Sequence, residues 1–226
     1  MRRAAIEAST RRWIERFVVR EKLCPFAAKS AMRLHVETFG VEEADLLARH
    51  RSGWRLTESG NETHVFEGVQ RMGRRLEQFL AEDVRADATS NLFLVWPIGL
   101  ADHADYISFS QMLLSWFRLG DGTGGPEESD AAAVGFPFHP RSGEPGGSGR
   151  GFGCEAPQPS YVFRSPYPML HLIPMAELSR ARTGLRQRSA DGRGLLVQQR
   201  NAQLMRAATD GDRERWDSLL AECRDR

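Results

Sequence analysis

Three side chains of this 226-residue chain, Cys24, His139 and His171, have the chemistry for proton transfer, nucleophilic attack or metal ligation. A thiolate is a nucleophile and a soft ligand, and imidazole moves protons near neutral pH and binds borderline metals. Cys24 stands just before Pro25, which fits the first position of a helix. A cysteine at such an N-terminus meets the positive end of the peptide dipoles, and that favours the thiolate. The competing reading is packing: Leu23, Cys24 and Phe26 fit a core between two helices, since free cysteine is among the most buried residues. For each histidine the ordinary alternative is a ring satisfied by the backbone. One geometric expectation joins the three. Cys24 opens a helix, His139 closes a strand before a loop, and the strand bearing His171 begins where that loop ends, so the three converge as catalytic residues or as ligands. The pattern names no particular metal and no cofactor.

A second group lies in Tyr161–Pro174, where Pro166 and Pro168 forbid a helix and hold the backbone extended ahead of a buried strand, Met169–Ile173. Arg164 and Ser165 precede the prolines, and a guanidinium with a hydroxyl suits a bidentate grip on carboxylate or phosphate. With Tyr167 and Asp105 they form the expected binding set for a small anionic molecule. Strand-end arginines also pair internally, with Asp105 as one such partner here, and Arg200–Asn201 is open to both readings.

The elements that must position these residues follow from periodicity. Ile6, Trp13, Ile14, Phe17 and Val18 form the stripe of an amphipathic helix from Ala4 to Leu23, stopped at Cys24–Pro25, with a short second helix to Met32. Arg33–Phe39 alternates as a half-exposed strand, Val41–His50 reads as a helix and Arg51–Glu62 as a loop. A long amphipathic helix over Thr63–Glu82 precedes Asn91–Pro97, a short apolar run that suits a strand buried on both faces. Asp102 caps a helix that Gly120 stops, and Ala131–His139 is a third strand. Tyr161–Ile173 is the fourth, followed by a helix from Ala176 to Thr183 and a helical C-terminus holding Leu204, Met205, Trp216, Leu219 and Leu220.

The fold class predicted is α/β or α+β: a single sheet of about four strands packed with helices, with helical N- and C-terminal segments, in one domain over residues 1–226. Residues 141–160 are rich in glycine and proline and read as a flexible excursion. They lack the Gly-Lys-Ser/Thr ending and the strand-to-helix setting of a phosphate-binding loop.

Composition narrows the classes further. A net charge of +1, from 31 basic and 30 acidic residues, gives no field for nucleic acid, and no run nears the roughly 18 to 20 apolar residues of a membrane span. Lys22 and Lys29 are the only lysines, which restricts amine chemistry. Three widely spaced cysteines fit neither a disulfide framework nor a zinc knuckle and point to a reducing compartment, the cytoplasm or a eukaryotic organelle. The arginine-rich N-terminus, broken by Glu7 and Glu15, lacks the apolar core of a signal peptide. Oligomeric state is left open.

Short blocks of the chain resemble an uncharacterised protein family, domain of unknown function 1415. They are Leu23-Cys24-Pro25-Phe26-Ala27, Asp105-Tyr106, Phe138-His139-Pro140, Arg164 to Leu172, and Arg200-Asn201. The chain departs from that pattern after Leu172, with Pro174 and Met175 where the family tends to carry arginine and glutamate. The resemblance implies no activity, substrate or cofactor, only where a site would lie. The expectation is a soluble small-molecule enzyme with a thiol or metal site at Cys24, His139 and His171 and an arginine grip. The alternative is a non-catalytic binding or interaction module in which the same residues are structural.

Overall fold

The computed structural model describes residues 3–24, 34–38, 73–74, 77–78, 81, 91–97, 100, 102–120, 131–142, 160–180, 183 and 197–224. In chain order these give α1 (Arg3–Trp13), β1 (Leu34–Thr38), β2 (Asn91–Val95), α2 (His103–Trp116), β3 (Ala133–Phe138), β4 (Met169–Pro174), α3 (Val197–Ala207) and α4 (Asp210–Arg224). The chain is α+β, with helical terminal segments around a sheet that has four strands among the described residues, in the order β1-β2-β4-β3. β4 runs antiparallel to both of its neighbours, β2 and β3, and β1 joins β2 in parallel.

Both faces of the sheet are covered, which explains why Asn91–Val95 is apolar without alternation. On one face Phe93, Val95 and Met169 pack with Ile6, Trp13 and Phe17 from the N-terminal helix and with Trp216, Leu220 and Cys223 from α4. On the other, Leu92, Leu94, Leu170 and Leu172 meet Tyr106, Phe109, Leu113 and Leu114 of α2. β3 is an edge strand, the position where Pro137 is tolerated because its missing N–H faces away from the ladder. Gly135 lets α2 approach: a Cβ there would lie 2.4 Å from Leu114 Cδ2.

The helix ends differ from expectation. α1 continues as a π-helical stretch, Ile14–Val19, and stops before Cys24–Pro25. Leu23 N–H bonds the Val18 carbonyl at 2.9 Å and Lys22 N–H the Val19 carbonyl at 3.0 Å, with Lys22 left-handed at φ 57°. This is a Schellman ending. α2 ends the same way, through Leu119 to Leu114 at 2.8 Å and Arg118 to Ser115 at 3.2 Å, with Arg118 at φ 49°. Gly120, expected as the stop, instead bridges to Val134 beside β3.

Two further corrections concern the C-terminal half. Ser160–Phe163 is a 3-10 turn, so the strand begins only at Met169, after both prolines. The helical C-terminus is two helices because Thr209 starts a new one. Its hydroxyl accepts from Asp212 N–H at 3.2 Å while Asp212 Oδ2 accepts from Thr209 N–H at 3.0 Å, a reciprocal cap. Helix is present over 175–180 and at 183, starting one residue before the helix expected from Ala176, and at 73–74, 77–78 and 81, within the helix expected over Thr63–Glu82. The expected elements over 25–32 and 41–62, and residues 143–159 of the glycine-rich excursion, lie outside the described residues.

Candidate functional site

The C-terminal end of β3, the N-terminal end of β4 and the start of α2 meet at one edge of the sheet. Asp102 caps α2 by accepting Asp105 N–H at 2.9 Å, which sets His103 as the first helical residue and Tyr106 one turn in. The buried Tyr106 hydroxyl donates to the Met169 carbonyl and accepts Phe138 N–H at 3.2 Å. It ties α2 to the last register pair of β3 and β4, Phe138 and Met169. Burial pushes its phenol well above the usual tyrosine range.

His139 follows directly and is 1 % exposed. Its ring lies 5.3 Å from that of Tyr106 and 5.1 Å from that of His103. Nε2 is 2.9 Å from the Leu100 carbonyl, and Nδ1 accepts Arg141 N–H at 3.1 Å. A carbonyl only accepts, so Nε2 carries the proton and both nitrogens are engaged by main chain in the neutral form. Burial lowers the pKa to about 4, against the opposing pull of the Leu100 hydrogen bond. Leu100 presents that carbonyl from a left-handed backbone at φ 52°.

Pro140 occupies the second position of a tight turn closed by Ser142 N–H to the His139 carbonyl at 3.1 Å. The turn brings the Ser142 hydroxyl to 3.4 Å from His103 Nε2. Arg164 Nε donates to the Ser142 carbonyl at 2.8 Å, and Nη1 pairs with Asp217 on α4. Trp13 Nε1 donates to the Arg164 carbonyl at 3.1 Å. Among the described residues the acidic partner of Arg164 is Asp217 rather than Asp105, which stays half-buried in the first turn of α2.

The remaining expected residues fall elsewhere or take structural bonds. Ser165 donates to the Tyr167 carbonyl at 2.6 Å and closes the proline turn. The Tyr167 hydroxyl reaches the Arg224 carbonyl at 3.3 Å from within the terminal-helix core. His171 stacks on Phe93, ring centroids 4.1 Å apart, on the face away from α2. Burial lowers its pKa to about 3. Cys24 is half-buried against the terminal-helix cluster, and the helix expected to begin at Pro25 lies outside the described residues.

The expected convergence of Cys24, His139 and His171 is therefore corrected: the sheet stands between the two histidines. Phe136 and His171 are register partners, whereas His139 follows at the opposite parity and turns to α2. Among the described residues no three His, Cys, Asp or Glu side chains gather as metal ligands do. No helix of the described residues is long and apolar enough to cross a membrane.

Sequence reasoning missed His103 and Ser142. His103 follows the Asp102 cap, and Ser142 lies three residues past His139 in a proline turn. Those local signals mark the ends of elements and say nothing of their meeting. No protein-family model matches the chain, and no curated protein or solved structure does.

Proposed function

We propose that this chain is an enzyme acting on a small anionic molecule at this sheet edge, with His103 and Ser142 as the reacting pair and Arg164 as the anion grip. What supports the reading is the 3.4 Å approach of the Ser142 hydroxyl to His103 Nε2, in a turn whose main chain is held on both sides. Such contacts tighten when substrate binds. His103 Nε2 takes the hydroxyl proton as the oxygen attacks an acyl or phosphoryl centre, and the resulting imidazolium returns that proton to the leaving group. Water then releases the group from Ser142 by the same relay. The resemblance to the uncharacterised family belongs to this proposal too, supported by the meeting of its blocks: Tyr106 touches Phe138 and Met169, and Asn201 donates to the Leu23 carbonyl at 2.8 Å.

The second reading is a binding or interaction module. It is favoured by the bonds that Tyr106, His139, Ser165 and Asn201 make to main chain, which suit a structural role for the motifs. Labelling with a small fluorophosphonate, read by peptide mass spectrometry, separates the two. The enzyme reading expects an adduct on Ser142 that forms at least about tenfold more slowly in His103→Gln. Wild-type protein with no adduct on Ser142 leaves the binding module.

A further inference from the structure

Among the described residues Arg164 meets two kinds of partner. Its side chain is 13 % exposed, anchored behind by the Ser142 carbonyl at Nε, 2.8 Å away. Trp13 holds its own carbonyl. In front stands Asp217, 54 % exposed on the surface of α4. A guanidinium so enclosed needs an anion beside it, because an unpaired charge there lacks hydration. A carboxylate so exposed is nearly as well served by water. The demands are unequal: Arg164 must keep an anion, while Asp217 is able to leave. α4 does not depend on the pair for its seat, since Trp216, Leu220 and Cys223 bury it in the core.

We propose that the Asp217 carboxylate is an internal stand-in for the carboxylate of a small ligand, which takes over the Arg164 fork as Asp217 turns to solvent. This rests on the reading of Arg164 as the anion grip, and it names carboxylates as the ligand class. The planar fork matches a carboxylate through two parallel N–H bonds. The same guanidinium holds the Ser142 carbonyl, so a carboxylate seated on it is linked through one arginine to the turn that bears Ser142. The exchange also gives α4 a regulatory role, because anything that strengthens the hold of Asp217 competes with ligand.

The test uses the full chain with acetate as probe, titrated by calorimetry at constant ionic strength. Asp217→Asn keeps the shape of the side chain and removes its charge. Acetate is expected to bind this variant at least about tenfold more tightly than wild type and to move the Arg164 Nε–H resonance. Arg164→Lys in the Asp217→Asn background keeps the charge without the fork and should abolish the gain. Equal affinity in wild type and Asp217→Asn, no saturable response in either, or a gain that leaves the Arg164 resonance unmoved overturns the proposal. Labelling at Ser142 is a separate readout. A chain that labels but shows no Asp217→Asn effect loses only the stand-in, and one that shows the effect without labelling loses only the chemistry.

Discussion

The imidazole of His171 lies flat on the ring of Phe93, with centroids 4.1 Å apart and planes 6° from parallel. The two are register partners across β4 and β2, and Phe136 and Phe138 flank the histidine at 6.4 and 6.3 Å. Cross-strand aromatic pairs of this kind stabilise a sheet. An imidazolium in the same place would exchange its water shell for ring faces and edges, and burial accordingly holds the pKa at about 3.

Stability should therefore fall as pH falls. The native ring, with a pKa near 3, binds fewer protons than the unfolded chain, whose histidines titrate near their ordinary value of about 6.5. Unfolding takes up a proton from about pH 6.5 downward, and each pH unit in that window removes about 1.4 kcal/mol. His139, lowered to about 4, acts in the same sense. Urea unfolding between pH 6 and 4 should show a slope that drops by about one proton in His171→Leu. An unchanged slope would mean that the native ring already carries charge.

Tyr106→Phe isolates one hydroxyl. It deprives the Met169 carbonyl and the Phe138 N–H of a buried partner while leaving the ring packed. The expected loss is about 1–3 kcal/mol, a fall in Tm of about 2–12 °C for a chain of this size. An unshifted melting curve would show that water substitutes for the hydroxyl.

Strand and helix identities were legible because they depend on neighbours in sequence. Asn91–Val95 announced itself by an unbroken apolar run, since Leu92 and Leu94 face α2 while Phe93 and Val95 face the terminal helices. Asp102 was readable as a cap for the same local reason. The site was less legible. Whether His139 and His171 share a face depends on the register of β3 against β4, a long-range property that no window of sequence contains. Helix ends were less legible, because glycine and proline are the stop signals that a sequence displays. Both helices instead place a basic residue, Lys22 or Arg118, in the left-handed position.

Arg118→Gly should stabilise the protein. Arg118 is exposed and holds φ 49° at a Schellman ending, where a side chain crowds the backbone and glycine does not. Relief of a left-handed conformation amounts to about 1 kcal/mol. Chemical denaturation should show a higher midpoint with an unchanged slope against denaturant. A lowered midpoint would mean that contacts of the arginine outweigh the strain.

The last expectation concerns His139, whose two nitrogens define a single neutral tautomer. Nε2 faces the Leu100 carbonyl and Nδ1 faces the Arg141 N–H. Nitrogen spectra of the imidazole should therefore report a proton on Nε2 and a bare Nδ1 at pH 7, unchanged down to about pH 5, because burial holds the pKa at about 4. The opposite tautomer, or titration near pH 6.5, would contradict this geometry. The ring also joins Leu100 to the turn that carries Ser142, so His139→Gln should lose about 1–3 kcal/mol and slow fluorophosphonate labelling of Ser142 without altering the pH midpoint of that labelling. A positioning residue changes how often the hydroxyl is in place, and a proton acceptor changes the pH at which it reacts. A shifted midpoint in His139→Gln would move the acceptor role from His103 to His139.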